Sequence, residues 1–289
     1  MAITSWDGIA NAYGTGKRDR LNFQKISSNG AASAAGRWHE MLTWTGVPGP
    51  VTFSGTAGVA TQLNASTSGA LGPLPNVSTD TRYLTKGYAQ SPTATVVPST
   101  LLLCDFLLYY PACVVTGTAT TLNNAATLPR YTDGAGVEAL IVVQSALGAA
   151  SPALTLTYTD QSGNTGNALG AATVAMTASA IVSHISHAGT AANNYGPFLP
   201  LAAGDSGVRN VASVTFSAAN TGTGALVLCK PLIELPLGIV SVYHNKDCLS
   251  QIPSLPVIPD GACLSWIFIA GGGVSGSTTF LGHTEYVWG

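Results

Sequence analysis

Ala153-Leu-Thr-Leu-Thr-Tyr-Thr-Asp-Gln-Ser-Gly-Asn-Thr-Gly166 decides the fold class. Leu154, Leu156 and Tyr158 alternate with Thr155, Thr157 and Thr159, the period-2 pattern of a strand with one apolar and one hydroxyl face. The pattern breaks at Asp160-Gln-Ser-Gly163, where polar turn formers precede a glycine that tolerates positive φ, so a hairpin is expected there.

Working outward, Glu138–Ser145, Val211–Ser217 and Gly224–Lys230 read as further strands, with a turn at Asn220-Thr-Gly-Thr-Gly224. Leu101–Leu108 is apolar on both faces and reads as a fully buried strand. Tyr83–Tyr88, Gly238–Tyr243, Cys263–Ala270 and Thr278–Trp288 extend the series, and Leu169–His187 carries the alternation Val174, Met176, Ala178, Ala180. Turn signals recur about every 8 to 15 residues, the rhythm of a sandwich or jelly roll rather than of βαβ units. The expected fold is therefore all-β, an antiparallel β-sandwich of jelly-roll type over residues 81–289.

Residues 1–80 read differently. Alternation is weak, Gly30–Trp44 has the apolar stripe of a short helix (Trp38, Met41, Leu42, Trp44), and Pro48–Pro75 is Gly, Pro, Ser and Thr with few large side chains. This segment is expected to be an irregular arm that does not form core. Gly14-Thr-Gly-Lys-Arg-Asp-Arg20 lacks the spacing of a phosphate loop and reads as a solvated arm or a subunit contact.

Composition excludes several function classes. Eleven basic and 13 acidic residues make 8% charged, against about 25% in an ordinary domain. A net charge of −2 argues against nucleic acid as a partner, since phosphate binding needs clustered Lys and Arg. No stretch approaches the roughly 18 apolar residues that span a bilayer, and Met1–Asp7 lacks signal-peptide features, so synthesis in a cytosol is expected. Cys104, Cys113, Cys229, Cys248 and Cys263 are scattered without a CxxC pair and are expected to be structural thiols.

No catalytic, cofactor or metal residues are assigned. His184-Ile-Ser-His187 has no acidic or thiol neighbour to complete a ligand set. Asp133, Asp205 and Asp260 sit beside glycines as turn formers, without the alternating acidic ligands of a calcium loop. No Gly-x-Ser-x-Gly elbow presents a serine. Ala270–Ser277 reads as a flexible hairpin tip.

Several blocks in order carry a resemblance: Pro129-Arg-Tyr-Thr-Asp-Gly-Ala-Gly136, then Leu154–Gly163, then Phe198-Leu-Pro-Leu-Ala-Ala-Gly-Asp-Ser-Gly-Val-Arg209, then Thr223-Gly-Ala-Leu-Val-Leu-Cys-Lys-Pro-Leu232, and the ending Phe280–Gly289. Together they resemble virion structural proteins of tailed bacteriophages. The resemblance implies a non-enzymatic capsid decoration or cement protein made in the bacterial host cytoplasm and carried on the outer surface of the virion. Its implied partners are the major capsid protein and further copies of itself, a trimer at lattice three-folds being the natural homo-oligomer. Two other readings stand beside it: a tail or adsorption-apparatus component, and a carbohydrate-binding sandwich presenting Trp38, Trp44, Tyr109 and Tyr110.

Overall fold

The computed structural model describes residue 3 and residues 5–28, 33–170, 174–186 and 196–289. Sixteen strands and two helices follow one another in the described chain: α1 (Trp6–Gly14), β1 (Arg18–Ile26), β2 (Trp38–Glu40), β3 (Thr45–Val47), β4 (Thr61–Gln62), β5 (Arg82–Gln90), β6 (Ser99–Thr116), β7 (Ala119–Thr121) and β8 (Glu138–Ser145). The second half continues with β9 (Ala153–Asp160), β10 (Asn167–Ala168), β11 (Val174–Ala175), β12 (Val208–Phe216), β13 (Ala219–Leu237), β14 (His244–Asp247), α2 (Cys248–Gln251), β15 (Leu264–Ala270) and β16 (Thr279–Trp288). The expected all-β antiparallel sandwich is present, and most neighbouring strands are joined by long crossing connections as in a jelly roll.

Two sheets stack on a central third. The central sheet runs β2-β15-β6-β13-β8, and Ser183–Ser186 ties its two edges together. His39 bridges His184 on one side, and Val142 bridges Ile185 on the other. Ile185 N donates to Trp38 O at 2.9 Å and Val143 N to His184 O at 2.9 Å, so the sheet closes into a barrel. Alternation along the strands, broken by a bulge at Leu107-Leu108, then assigns the side chains. Cys104, Phe106, Val227, Cys229, Leu140 and Val142 point inward, while their neighbours Leu103, Leu107, Leu226, Leu228 and Ile141 point outward.

The long β6–β13 pair is the common wall of the molecule. One half of it, with Trp266 and Phe268 of β15, packs on a sheet ordered β14-β5-β16-β1-β3 through Phe23, Leu84, Phe280 and Tyr286. Its other half, with β8, packs on the sheet β10-β9-β12-β7 through Leu154, Leu156, Tyr158, Val211, Val214 and Phe216. The apolar face of Ala153–Asp160 read from the sequence is this buried face. The hairpin also forms: Gly163 has φ +87°, and Asp160 accepts from Asn164 N at 2.8 Å, setting Asn167 opposite Tyr158.

The first 80 residues correct the expectation of an arm. Arg18–Ile26 is a strand registered on β16 from Arg18↔Val287 to Ile26↔Thr279. Its core face includes Lys25, which broke the apolar pattern. The short helix lies at Trp6–Gly14, where Ser5 Oγ accepts from Gly8 N and Asp7 occupies the first turn. In the expected helix Gly30–Trp44, Trp38–Glu40 is instead a barrel strand, and residues 30–32 lie outside the described residues. Pro48–Pro75 also corrects its reading, because Phe53, Leu63 and Ala70 enter the barrel core.

Four other expectations change. The reversal before β13 falls at Ser217-Ala218, and Asn220–Gly224 lies within the strand as a bulged stretch. Among the described residues of Leu169–His187 only Val174–Ala175 forms a strand; residues 171–173 and 187 lie outside the described residues. Gly238–Tyr243 joins no sheet. Ala270–Ser277 is not a hairpin tip but a crossing from the barrel to the outer sheet; a Cβ on Gly272 would lie 1.9 Å from Thr95 O, so close backbone packing requires the glycine. All five cysteines are buried free thiols.

Candidate functional site

The residues that sequence reasoning weighed for chemistry are spread over the fold and engaged in holding it. Asp133 Oδ1 accepts from Ala135 N at 3.2 Å within a turn, Asp205 accepts from Tyr158 OH at 2.5 Å, and Asp260 accepts from Val77 N at 3.2 Å and pairs with Arg82. Among the described residues no group of three or more His, Cys, Asp or Glu side chains is placed to hold a metal ion. Lys17 of the basic run pairs with Asp80 at 2.7 Å, and the Arg18 guanidinium lies 5.6 Å from the Tyr13 ring centre. The run therefore leads into a strand and is not an arm, while Arg18 and Arg20 stay exposed to solvent as read.

Trp38, Trp44, Tyr109 and Tyr110 are all buried, which overturns the carbohydrate platform built on them. Trp44 Nε1 donates to Ser183 Oγ at 3.0 Å, Tyr109 OH to Ser54 O at 2.7 Å, and Tyr110 OH donates to Asn124 Oδ1. Their polar tips are spent inside the fold.

Sequence reasoning missed three charged or titratable groups in the core. The first is an ion pair: Arg130 Nε and Nη2 donate to Asp105 Oδ2 and Oδ1 at 2.9 and 2.7 Å. Arg130 also donates to Phe106 O at 3.0 Å and Leu63 O at 3.2 Å, while Cys263 N donates to Asp105 Oδ1 at 2.9 Å. One pair thus joins β6, β15 and the Leu63 segment. Burial pushes the Asp105 carboxyl up, and the Arg130 guanidinium pulls it back. The lone acid inside the apolar run Leu101–Leu108 was the available signal, but its partner lies 25 residues away at no diagnostic spacing.

The second group is Lys25 with Glu40, both fully buried. Lys25 Nζ donates to Trp44 O and Gly49 O at 3.4 Å, and Thr43 N donates to Glu40 Oε2 at 3.0 Å. Burial lowers Lys25 to about 8 and raises Glu40 to about 7. The third is His39, stacked on His184 at 5.1 Å and on Phe268 at 5.5 Å, with Nε2 on Ser33 Oγ at 3.1 Å. Burial, then the Arg37 charge, lowers it to about 3.

Glu40 and His39 give stability opposite slopes with pH. Glu40 favours its neutral form in the fold, so its contribution is full below about 4.5 and is lost as pH rises through about 7. His39 also favours its neutral form, so its contribution is full above 6.5 and is lost as pH falls towards about 3. The two offset one another between these ordinary values, and below about pH 4.5 the histidine slope is no longer opposed by Glu40, while Asp80 and Asp160, held low by their hydrogen-bond partners, add to the acid limb. Thermal or urea unfolding from pH 7 to pH 3 is expected to show an acid limb losing roughly 2 kcal/mol between pH 4.5 and pH 3 on this account. His39→Gln should flatten that limb relative to the native chain. An unchanged slope in the variant would remove His39 from the explanation.

The surface offers a different kind of site. Lys25, Glu40, Arg82, Asp105, Arg130 and Asp160 are buried, so 18 of the 24 charged side chains remain for 11119 Å² of surface, one per roughly 620 Å². On this neutral surface Ile239, Val240, Val242 and Tyr243 are 60%, 38%, 45% and 54% exposed within five consecutive residues. Beside them lies a shallow groove of about 410 Å³ at the barrel rim, lined by Pro98, Thr100, Pro236, Leu237, Ile269 and Ala270. Nothing in either feature supplies a nucleophile, base or ligand set. What they offer is apolar contact.

No protein-family model matches this chain, and no curated protein matches it. Among solved structures, VP1 of Trichodysplasia spinulosa-associated polyomavirus is similar over 99% of this chain and 97% of that chain, at 10% identity and a TM-score of 0.24. A similarity of that size carries no weight for fold or function. No helix among the described residues is long and apolar enough to cross a membrane.

Proposed function

We propose that this chain is a structural virion protein of a tailed bacteriophage, a decoration or cement subunit that binds the major capsid protein lattice from outside. The observation that carries the reading is the charge-poor surface with its projecting apolar run at Ile239–Tyr243, because the buried cores of interfaces are depleted in charge and more apolar than the rest of a protein surface. The ordered blocks that resemble tailed-phage virion proteins supply the particle. Two sheets packed around a filled barrel supply a stiff body, and a stiff body is what a clamp on an expanding shell needs.

The role is mechanical and non-enzymatic. Each subunit bridges neighbouring lattice subunits, so that swelling under genome pressure has to break interfaces of roughly 1,000 Å² or more. The expected experiment uses heads assembled without this chain and then mixed with the purified protein. Uptake should saturate at a fixed number per head and raise the temperature at which the genome is released. Recovery of the chain only with tails would move the reading to the adsorption apparatus, and no binding to any particle would end it.

A further inference from the structure

Arg18, Arg20 and Asn22 project from the solvent-facing side of β1, while Asp19, Leu21 and Phe23 turn towards the core. Two like charges therefore stand about 7 Å apart on one strand face, which costs free energy unless something neutralises them. Among the described residues neither guanidinium is paired with a carboxylate. Glu285 stands directly across from Arg20 in the ladder, but its Oε1 lies 3.5 Å from His283 Nε2 instead. Asp19, on the other side of the strand, has its Oδ1 taken by Arg20 N at 2.7 Å.

Both arginines are nevertheless held in place. The Arg18 guanidinium lies 5.6 Å from the Tyr13 ring centre, and Tyr13 OH is 3.5 Å from Thr85 Oγ1 of β5. Arg20 donates from Nε to Asn22 Oδ1 at 3.1 Å and from Nη2 to His283 Nδ1 at 2.9 Å. An arginine can only donate, so His283 accepts there as the neutral ring; burial, then the Arg20 charge, holds its pKa below the ordinary value. Stacking on Tyr88 at 4.3 Å fixes the ring in turn. Arg18, Arg20, Tyr13 and Glu285 line one cleft of about 400 Å³ between α1 and the outer face of the sheet. On a surface so poor in charge, two fixed arginines without acid partners are organised for a ligand from outside the chain.

We propose that this cleft binds a phosphate group carried on a small molecule, gripped between the Arg18 and Arg20 guanidiniums. An anion is favoured over a neutral ligand because two positive charges face a single carboxylate, and His283 already engages that one. Phosphate is favoured over carboxylate because two planar forks approaching from separate positions need more than two acceptor oxygens. The cleft is larger than the anion alone and leaves room for its carrier. One pair of arginines grips one phosphate and is too few to follow a nucleic-acid backbone. Glu285, at the cleft wall, repels the same anion, which gives the site a signature of its own. This site lies apart from the apolar run, and its test uses no particles.

Isothermal titration calorimetry in about 0.1 M salt tests the site with inorganic phosphate, glucose 6-phosphate, glucose and acetate as probes. The native chain should bind inorganic phosphate with Kd on the order of 1 mM and glucose 6-phosphate more tightly, with acetate weaker and glucose silent. Arg18→Gln and Arg20→Gln should each lose about tenfold or more, as should Arg20→Lys, which keeps the charge but not the fork. Lys86→Gln removes the same charge from the same sheet, where Lys86 stands between Glu285 and Asp247, and should change binding less than about twofold. Glu285→Gln should tighten it, and all variants should melt like the native chain. A native chain that binds no phosphate overturns the proposal, as does a Lys86→Gln loss equal to that of the arginine variants or weaker binding by Glu285→Gln. Full binding by Arg20→Lys, or acetate bound as well as phosphate, overturns the two-fork grip. Glucose bound as well as glucose 6-phosphate overturns the anion itself.

Discussion

Removing Thr284–Gly289 is expected to abolish folding. β16 is not an edge: it lies between β1 and β5, paired with both from end to end. The deletion takes out Tyr286 and Val287, both fully buried, together with the last ladder bonds on each side. Lys17 O also loses its donor, Trp288 N at 3.1 Å, and Thr81 its pair of bonds with Gly289. Loss of one large buried aromatic costs about 3–5 kcal/mol, and whole domains are stable by only about 5–15 kcal/mol. Once β16 is shortened, the N-terminal half of β1 has no neighbour at all, since β3 pairs only with Gln24–Ile26.

The truncated chain should therefore be insoluble or lack a cooperative melt. Tyr286→Phe, which removes only the bond from Tyr286 OH to Thr284 Oγ1 at 2.7 Å, should fold with a loss of about 1–2 kcal/mol. A soluble truncated chain with an unchanged midpoint would contradict the placement of β16. Trp288 contributes less than its size suggests, because it stays partly exposed at the strand end.

The second large effect is expected at Arg130. Arg130→Met leaves the Asp105 carboxylate buried with Cys263 N–H as its remaining partner, and breaking such a pair from one side costs about 3–5 kcal/mol. Leu63 O and Phe106 O also lose their donors, so the Leu63 segment loses its anchor on the barrel. The penalty should grow with pH. Burial already holds the Asp105 carboxyl above its ordinary range, and without the guanidinium it favours the neutral form still more. Equilibrium unfolding at pH 5 and pH 8 should show the larger deficit at pH 8, and adding Asp105→Asn should recover part of it. A deficit below about 1 kcal/mol at both pH values would mean that the pair is not desolvated as described.

Particular residues show why some of this was legible in the sequence and some was not. Leu154, Leu156 and Tyr158 read correctly because one face is buried and the other is not, so the side-chain period survives in the residue types. Leu101–Leu108 read correctly as a strand buried on both faces, because the barrel interior lies on one side and the flanking sheets on the other. Arg18–Ile26 did not, since its core face includes a lysine and its outer face is Arg18, Arg20, Asn22 and Gln24. The barrel core contributed by Phe53, Leu63 and Ala70 was hidden by its turn-forming neighbours, because spacing in a loop says nothing about what the chain wraps around.

Gly238–Tyr243 failed in the opposite direction. Its residue types are those of a strand, but the bonds to Ser91 and His244 hold it out of every sheet. The proposed interaction surface was legible only as a shortage of charge. Which apolar residues reach the surface depended on where β13 ends and β14 begins, and that follows from pairing with β6 and β5 far away in the sequence.

The central claim is that this chain clothes a capsid lattice, and locating it by cryo-electron microscopy of purified particles tests that claim most directly. The account predicts hundreds of copies on the outer face of the head, each resolved as a barrel flanked by two sheets, with Ile239–Tyr243 buried at a subunit contact. Copies confined to the tail in small multiples, or particles with no density for the chain, would contradict it.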